Sequence, residues 1–182
     1  EMCIRDRLKD KARGLNLGMS GGTWILPEGK SLQLNGVNTY LKLSSGSSVV
    51  IDKQTDYTIE LWFKGDHTNK NATLLANGRA DGNDWGGSEN LFFLGFKDSK
   101  LTFCSNGQVP LEAKGNYLDD NWHHVAVSAN RMTGRVQLYV DGELNTYADV
   151  TDYGQIASGY IYAGVTPVIV NATTNTYEHH FK

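Results

Sequence analysis

Trp122-His123-His124-Val125-Ala126-Val127-Ser128-Ala129, the loop Asn130-Arg131-Met132-Thr133-Gly134, then Arg135-Val136-Gln137-Leu138-Tyr139-Val140 and Asp141-Gly142 form the stretch that decides the fold. Val125 and Val127 share one face of an extended segment, and Val136, Leu138 and Val140 share one face of the next. A period of two is the signature of a half-buried strand, because successive Cβ atoms point to opposite sides. The polar segment between them, ending in Gly134, suits a hairpin loop, and Asp141-Gly142 stops the return strand.

The same period recurs upstream. In Asp56 to Lys64, Tyr57, Ile59, Leu61 and Phe63 fall on one face, while Thr58, Glu60, Trp62 and Lys64 fall on the other. Strands are expected at Ala72 to Ala76, Leu91 to Phe96 and Lys100 to Ser105, with Lys97-Asp98-Ser99-Lys100 as a tight turn. Ser31 to Leu34 leads into Asn35-Gly36, a strong hairpin cue, and then into Tyr40 to Leu43. Residues 8–30 are polar and irregular, a leader in which Leu15/Leu17 and Trp24/Leu26 alternate as short edge strands would. Ser44 to Ser48 and the polar run 77–90 read as loops. No window sustains helical periodicity, so the predicted class is all-β, an antiparallel two-sheet sandwich or barrel.

Composition agrees with that class and removes others. The chain has 182 residues, the length of one domain, with 20 Gly but only 3 Pro, and its 4 Trp and 9 Tyr favour strands. A net charge of −3 with no basic stripe argues against nucleic acid as partner. No apolar run approaches the ~18 residues of a membrane helix, so no membrane span is expected. Met2-Cys3-Ile4-Arg5-Asp6-Arg7 resembles the translation of a transposon-end adapter used in sequencing libraries, and residues 1–7 are expected to be non-native. Setting them aside leaves Cys104 as the single cysteine, expected to be a small packed side chain without a disulfide partner.

The order of motifs resembles laminin-G-like, concanavalin-A-type jelly-roll domains. Residues 32–43 are similar to the opening strand pair of that family, and residues 56–64 to its second core strand. Trp122-His123-His124-Val125-Ala126 and Leu138-Tyr139-Val140-Asp141-Gly142 are similar to its most specific hairpin. The resemblance extends over about residues 30–182, giving a domain at 31–182 behind the leader. It implies a jelly-roll sandwich. It also implies that the chain stops at Lys182 just short of the closing strand, a C-terminal truncation that would leave a sheet edge unpaired. An extracellular or cell-surface setting follows from the resemblance too.

Candidate chemistry is sparse. Glycoside hydrolysis requires two carboxylates roughly 5 to 9 Å apart. Glucanases of this fold resemble one another in clustering Glu-x-Asp-x-Glu on a strand, whereas Glu60 is the only acid between Tyr57 and Lys64. No catalytic residue is assigned, and the chain is not expected to be an enzyme. His123-His124 and His179-His180 are adjacent pairs whose rings point to opposite faces of a strand, so they are read as structural or exposed and not as ligands. Calcium is the one cofactor the resemblance brings forward. The loop 81–90 supplies hard oxygen ligands in Asp81, Asn83 and Asp84, although Trp85 at its fifth position departs from an EF-hand loop. The acidic run that pentraxin-like relatives place after the hairpin is missing at Gly164-Val165-Thr166-Pro167-Val168.

Trp85, with Asn83 and Asn90 beside it, is the preferred sugar-binding residue, since long loops carry recognition. Trp62 is the second sugar platform, but a strand position favours its being covered by loops or by the other sheet. The functional expectation is a non-catalytic recognition module of a larger extracellular protein, binding a glycan or a protein and joined to neighbouring domains. Two alternatives stand beside it: a spacer with no ligand of its own, and a carbohydrate-binding appendage of an enzyme whose catalytic domain lies elsewhere.

Overall fold

In the computed structural model the described residues are 17–20, 23–25, 31–43, 55–77, 92–105, 110–150, 161–171, 174–178 and 180–182. They form fifteen strands: β1 (Leu17–Ser20), β2 (Thr23–Ile25), β3 (Ser31–Gln33), β4 (Tyr40–Leu43), β5 (Tyr57–Lys64), β6 (Ala72–Asn77), β7 (Phe92–Lys97), β8 (Lys100–Ser105), β9 (Leu111–Glu112), β10 (Trp122–Asn130), β11 (Arg135–Val140), β12 (Glu143–Asp149), β13 (Ile161–Ala163), β14 (Thr166–Asn171) and β15 (Thr174–Glu178). No described helix is long and apolar enough to cross a membrane.

The decisive stretch folds as its alternation requires. β10 and β11 pair antiparallel in the register Val125↔Val140, Val127↔Leu138 and Ala129↔Val136. β5 pairs with the other edge of β10, and β12 with the other edge of β11, giving the four-stranded order β12-β11-β10-β5. The second sheet has seven strands in the order β1-β4-β13-β6-β7-β8-β9. Its neighbours β4, β13 and β6 are far apart in sequence, so the connections cross between layers. β2 with β3 and β14 with β15 make two further small sheets.

The two large sheets pack face to face through one apolar core. Val125, Val127, Val136 and Leu138 from the four-stranded sheet meet Phe92, Leu94, Phe96, Leu101 and Phe103 from the seven-stranded one. Each such side chain contributes about 1.5–3 kcal/mol by leaving water, enough to dictate which face of each strand points inward. On β5 the inward residues Tyr57, Ile59 and Leu61 are only partly buried. β5 is the edge strand of its sheet among the described residues, so its core side chains have neighbours on one flank only. Cys104 is buried opposite Phe93 on β7, as a packed residue should be.

The tight turn at Lys97–Lys100 forms as expected, with Asp98 and Ser99 both at positive φ (49° and 68°), the geometry of a two-residue primed turn. The Asn35-Gly36 hairpin does not form. β3 pairs with β2, and β4 pairs with β1 and β13, so the turn joins two different sheets. The Asn35 side chain explains why: its Oδ1 accepts the backbone N–H groups of Val37 (2.9 Å), Asn38 (3.0 Å) and Thr39 (3.1 Å). Those bonds satisfy the loop backbone locally, so no partner strand is required there.

Residues 180–182 are drawn into the core near this loop. The Phe181 ring lies 6.4 Å from Phe63 and 6.5 Å from Phe96, centroid to centroid. Its N–H donates to the Gly164 carbonyl (3.0 Å), and its own carbonyl accepts the Gly36 N–H (3.2 Å). Asn69 clasps Lys182 from both sides, accepting the Lys182 N–H at 2.7 Å and donating to the Lys182 carbonyl at 3.1 Å.

Candidate functional site

The outer face of the four-stranded sheet follows from the registers. Trp62 on β5 stands opposite His124 on β10, Lys64 opposite Trp122, and Glu60 opposite Ala126, which in turn faces Tyr139 on β11. Along the middle of β10 this face carries the small residues Ala126 and Ser128, while Trp62, Glu60 and Tyr139 rise on either side. This low row of small residues between larger ones, with the exposed Trp62 and Trp122 at one end, is called the trough below.

Trp62 is 65% exposed and Trp122 52% exposed. The expectation that Trp62 is covered by loops or by the other sheet is therefore overturned for the described residues. Burial is decided by the residues facing the core, and Trp62 has the parity of Glu60 and Lys64 instead. The indole does not lie loose on the surface. The His124 ring packs against it at 5.1 Å between centroids, tilted by 46°. His124 Nε2 sits 3.7 Å from Glu60 Oε2, so the three side chains form one cluster across two strands.

Beneath the same edge lies a second cluster, on the opposite face of β10. His123 is inward, packed against Phe63 and, edge-on, against Tyr117. Both of its ring nitrogens meet carboxylates: Nδ1 is 2.8 Å from Asp141 Oδ2 and Nε2 is 3.0 Å from Asp119 Oδ1. Asp141 also accepts the backbone N–H of His124 at 2.9 Å, so it ties the end of the β11 strand to β10. Partial burial disfavours the imidazolium, but the bonds and charges of Asp141 and Asp119 outweigh it and hold the His123 pKa above its ordinary value. Asp119, bonded by Asn121 and His123, is held down at about 2. For Asp141, burial pushes upward, yet the hydrogen bonds from His123 and His124 leave its carboxyl below the usual range. An imidazolium donating from both nitrogens to two carboxylates is a strong charge-assisted arrangement.

The two adjacent histidines thus take opposite faces, as strand geometry demands, His124 against Trp62 and His123 against Phe63. Among the described residues no group of three or more His, Cys, Asp or Glu side chains could hold a metal. Trp85, Asn83 and Asn90, and the calcium candidates Asp81, Asn83 and Asp84, lie outside the described residues. Of the candidate sugar-binding residues read from the sequence, the structure places Trp62, sets His124 and Glu60 in one cluster with it, and puts the exposed Trp122 on the same face opposite Lys64, three residues the sequence reading did not single out as site residues. Their signal was present, since Glu60 and Trp62 share strand parity and the hairpin register sets His124 beside Trp62. Asp119 and Asp141, which bracket His123, were also missed, because they come from a loop and a turn on either side of β10.

Two antiparallel sheets sharing one core, with exposed aromatic side chains on the outer face of the four-stranded one, define an all-β sandwich. The family pattern described as concanavalin A-like lectin/glucanases superfamily, of the laminin-G type, matches residues 35–176, and the chain belongs to this family. Among curated proteins no sequence matches. Several solved structures share the fold. Domain 4 of AbnA, an extracellular arabinanase from Geobacillus stearothermophilus solved with arabinotriose, superimposes with a TM-score of 0.64 at 15% identity, over 97% of this chain and 89% of that one. The CBM40 of the Ruminococcus gnavus IT-sialidase, solved with α2,3-sialyllactose, gives a TM-score of 0.51 at 18% identity, over 75% and 85%. A heptameric SAP-like pentraxin from Limulus polyphemus gives 0.52 at 15% identity over 77% of this chain, which spans 62% of the pentraxin's length.

Proposed function

We propose that the chain is a non-catalytic glycan-recognition module of an extracellular or cell-surface protein, and that it binds its ligand in the outer trough of the four-stranded sheet. The observation that carries this reading is the exposed, propped indole of Trp62. An aromatic face offers a sugar's C–H face apolar cover, while neighbouring polar groups take up its hydroxyls. A sugar ring seated on one indole face covers about a third of the 150–250 Å² that a Trp can bury. At about 25 cal/mol per Å² that is about 1.5 kcal/mol, or roughly tenfold in affinity. The sugar-bound modules of similar fold support the class of ligand.

The residues beside Glu60 on the described face support binding as the activity proposed. The sheet row of Glu60 continues through Ala126, Tyr139 and Leu144, and none of these is a second carboxylate to complete a hydrolytic pair.

The test is a screen of oligosaccharides by calorimetry and intrinsic tryptophan fluorescence, with Trp62→Ala as the paired variant. The expected result is saturable binding with a fluorescence change, weakened at least tenfold in W62A, whose melting temperature stays that of the parent. Equal binding by W62A and the parent would remove Trp62, and this trough, from the function.

A further inference from the structure

We infer that this trough selects neutral glycans over acidic ones, and that Glu60 is the residue that selects. The inference rests on the proposal that Trp62 is a sugar platform and adds to it the charge class of the ligand.

The charges around Trp62 are unevenly matched. Each described cation beside the trough is already paired with a carboxylate. Lys64, two residues beyond Trp62, has its ammonium 3.4 Å from Asp120. Arg135 on β11 is bidentate to Asp149 on β12, at 2.7 and 3.1 Å, and lies over the Tyr147 ring at 4.7 Å. His123 is turned under the sheet between Asp119 and Asp141. Glu60 has no Lys or Arg partner among the described residues. Its side chain is 67% exposed, and its contact is the His124 imidazole at 3.7 Å, beyond hydrogen-bond length. Among the described residues, a carboxylate therefore stands at the edge of the platform with only the His124 imidazole beside it, and no lysine or arginine of this face is left without a carboxylate of its own.

Spacing makes that carboxylate useful to one kind of sugar. Glu60 and Trp62 are two positions apart on one strand face, a separation of about 6.6 Å. That is close to the roughly 5.5 Å from the centre of a stacked sugar ring to an acceptor hydrogen-bonded by one of its rim hydroxyls. A carboxylate has two oxygens and accepts only, so it takes hydrogen bonds from two adjacent hydroxyls, and charged acceptors make the stronger bonds. A neutral sugar stacked on Trp62 thus finds an acceptor for its diol. A sialic or uronic acid in the same seat brings a second carboxylate toward Glu60, with repulsion that no described lysine or arginine of this face is free to offset. The expected penalty is tenfold or more in affinity, shrinking as salt screens it.

Matched probes test this: lactose with sialyllactose, galactotriose with trigalacturonate, and arabinotriose as a further neutral ligand. Each is titrated into the parent chain, Glu60→Gln, Glu60→Lys and Trp62→Ala at low and moderate salt. The expected result is binding of at least one neutral probe, with the acidic counterparts at least tenfold weaker. E60Q weakens the neutral probe several-fold and narrows the gap, and E60K reverses the preference. If acidic probes bind the parent as well as neutral ones, or E60Q leaves the ratio unchanged while W62A still abolishes binding, the selectivity is refuted and the platform stands. If no probe binds the parent, or W62A binds as the parent does, the platform reading falls and takes the selectivity with it.

Discussion

Replacing Asp141 by Asn removes one charge and almost nothing else. Asp141 has a φ of 53°, a left-handed conformation that Asn tolerates well, and Asn keeps an acceptor for the His124 N–H. What disappears is the carboxylate facing His123 Nδ1 at 2.8 Å. A hydrogen bond to a charged group is worth about 1.5–3 kcal/mol and a neutral one about 0.5–1.5. The Asp141 side chain is half-exposed, so screening favours the low end, and D141N should cost about 1 kcal/mol. Asp141→Ala loses both bonds and adds left-handed strain of about 1 kcal/mol, for a total of about 2–3.

The cost depends on pH with a definite sign. His123 has a raised pKa in the folded chain, so its contribution is fully present below the unfolded value near 6.5 and is lost as pH rises through the folded value. Asp119 and Asp141 are lowered, so theirs is present above about 4 and is lost as pH falls through the folded values, about 2 for Asp119. The native state should therefore be steadiest between about pH 4 and 6.5, where all three groups are charged. Urea unfolding of the parent and D141N at pH 5.5 and 8.5 reads this directly, because other titrating groups cancel in the difference. The penalty should be larger at pH 5.5. An equal penalty at both pH values would refute the doubly bonded imidazolium.

Two predictions concern packing. Phe181→Ala empties the space between Phe63 and Phe96 and should cost about 3–5 kcal/mol in urea unfolding; a loss under 1 would mean the ring is not part of the core. Gly164 and Gly142 have nearly the same φ, 84° and 85°, but different surroundings. A Cβ at Gly164 would run into Leu34, whereas at Gly142 nothing lies within 4 Å. Gly142→Ala should therefore cost about 1 kcal/mol from backbone strain, and Gly164→Ala about 2–3. Equal melting-temperature shifts for the two variants would refute the steric part of the argument.

Much of this molecule was legible in the linear chain because its strands alternate cleanly. The two faces of β5, the β10–β11 hairpin and the β7–β8 turn all follow from local patterns whose energetics are local. Asn35-Gly36 was misread for an equally local reason. The dipeptide that closes a hairpin also suits a loop capped by its own Asn side chain, and the choice belongs to distant strands competing for β3 and β4.

The candidate site shows the same division. By itself the sequence determined that Glu60, Trp62 and Lys64 share a face and that His123 and His124 do not, since a period of two admits no other arrangement. Alternation says nothing about whether a face is covered, and coverage decides whether Trp62 is core or platform. Only the tertiary structure left that face open, set His124 against the indole, and brought Asp119 and Asp141 to the two nitrogens of one imidazole. Those contacts span strands, a loop and a turn, and they arise from sheet register, which is chosen by burial of the whole core.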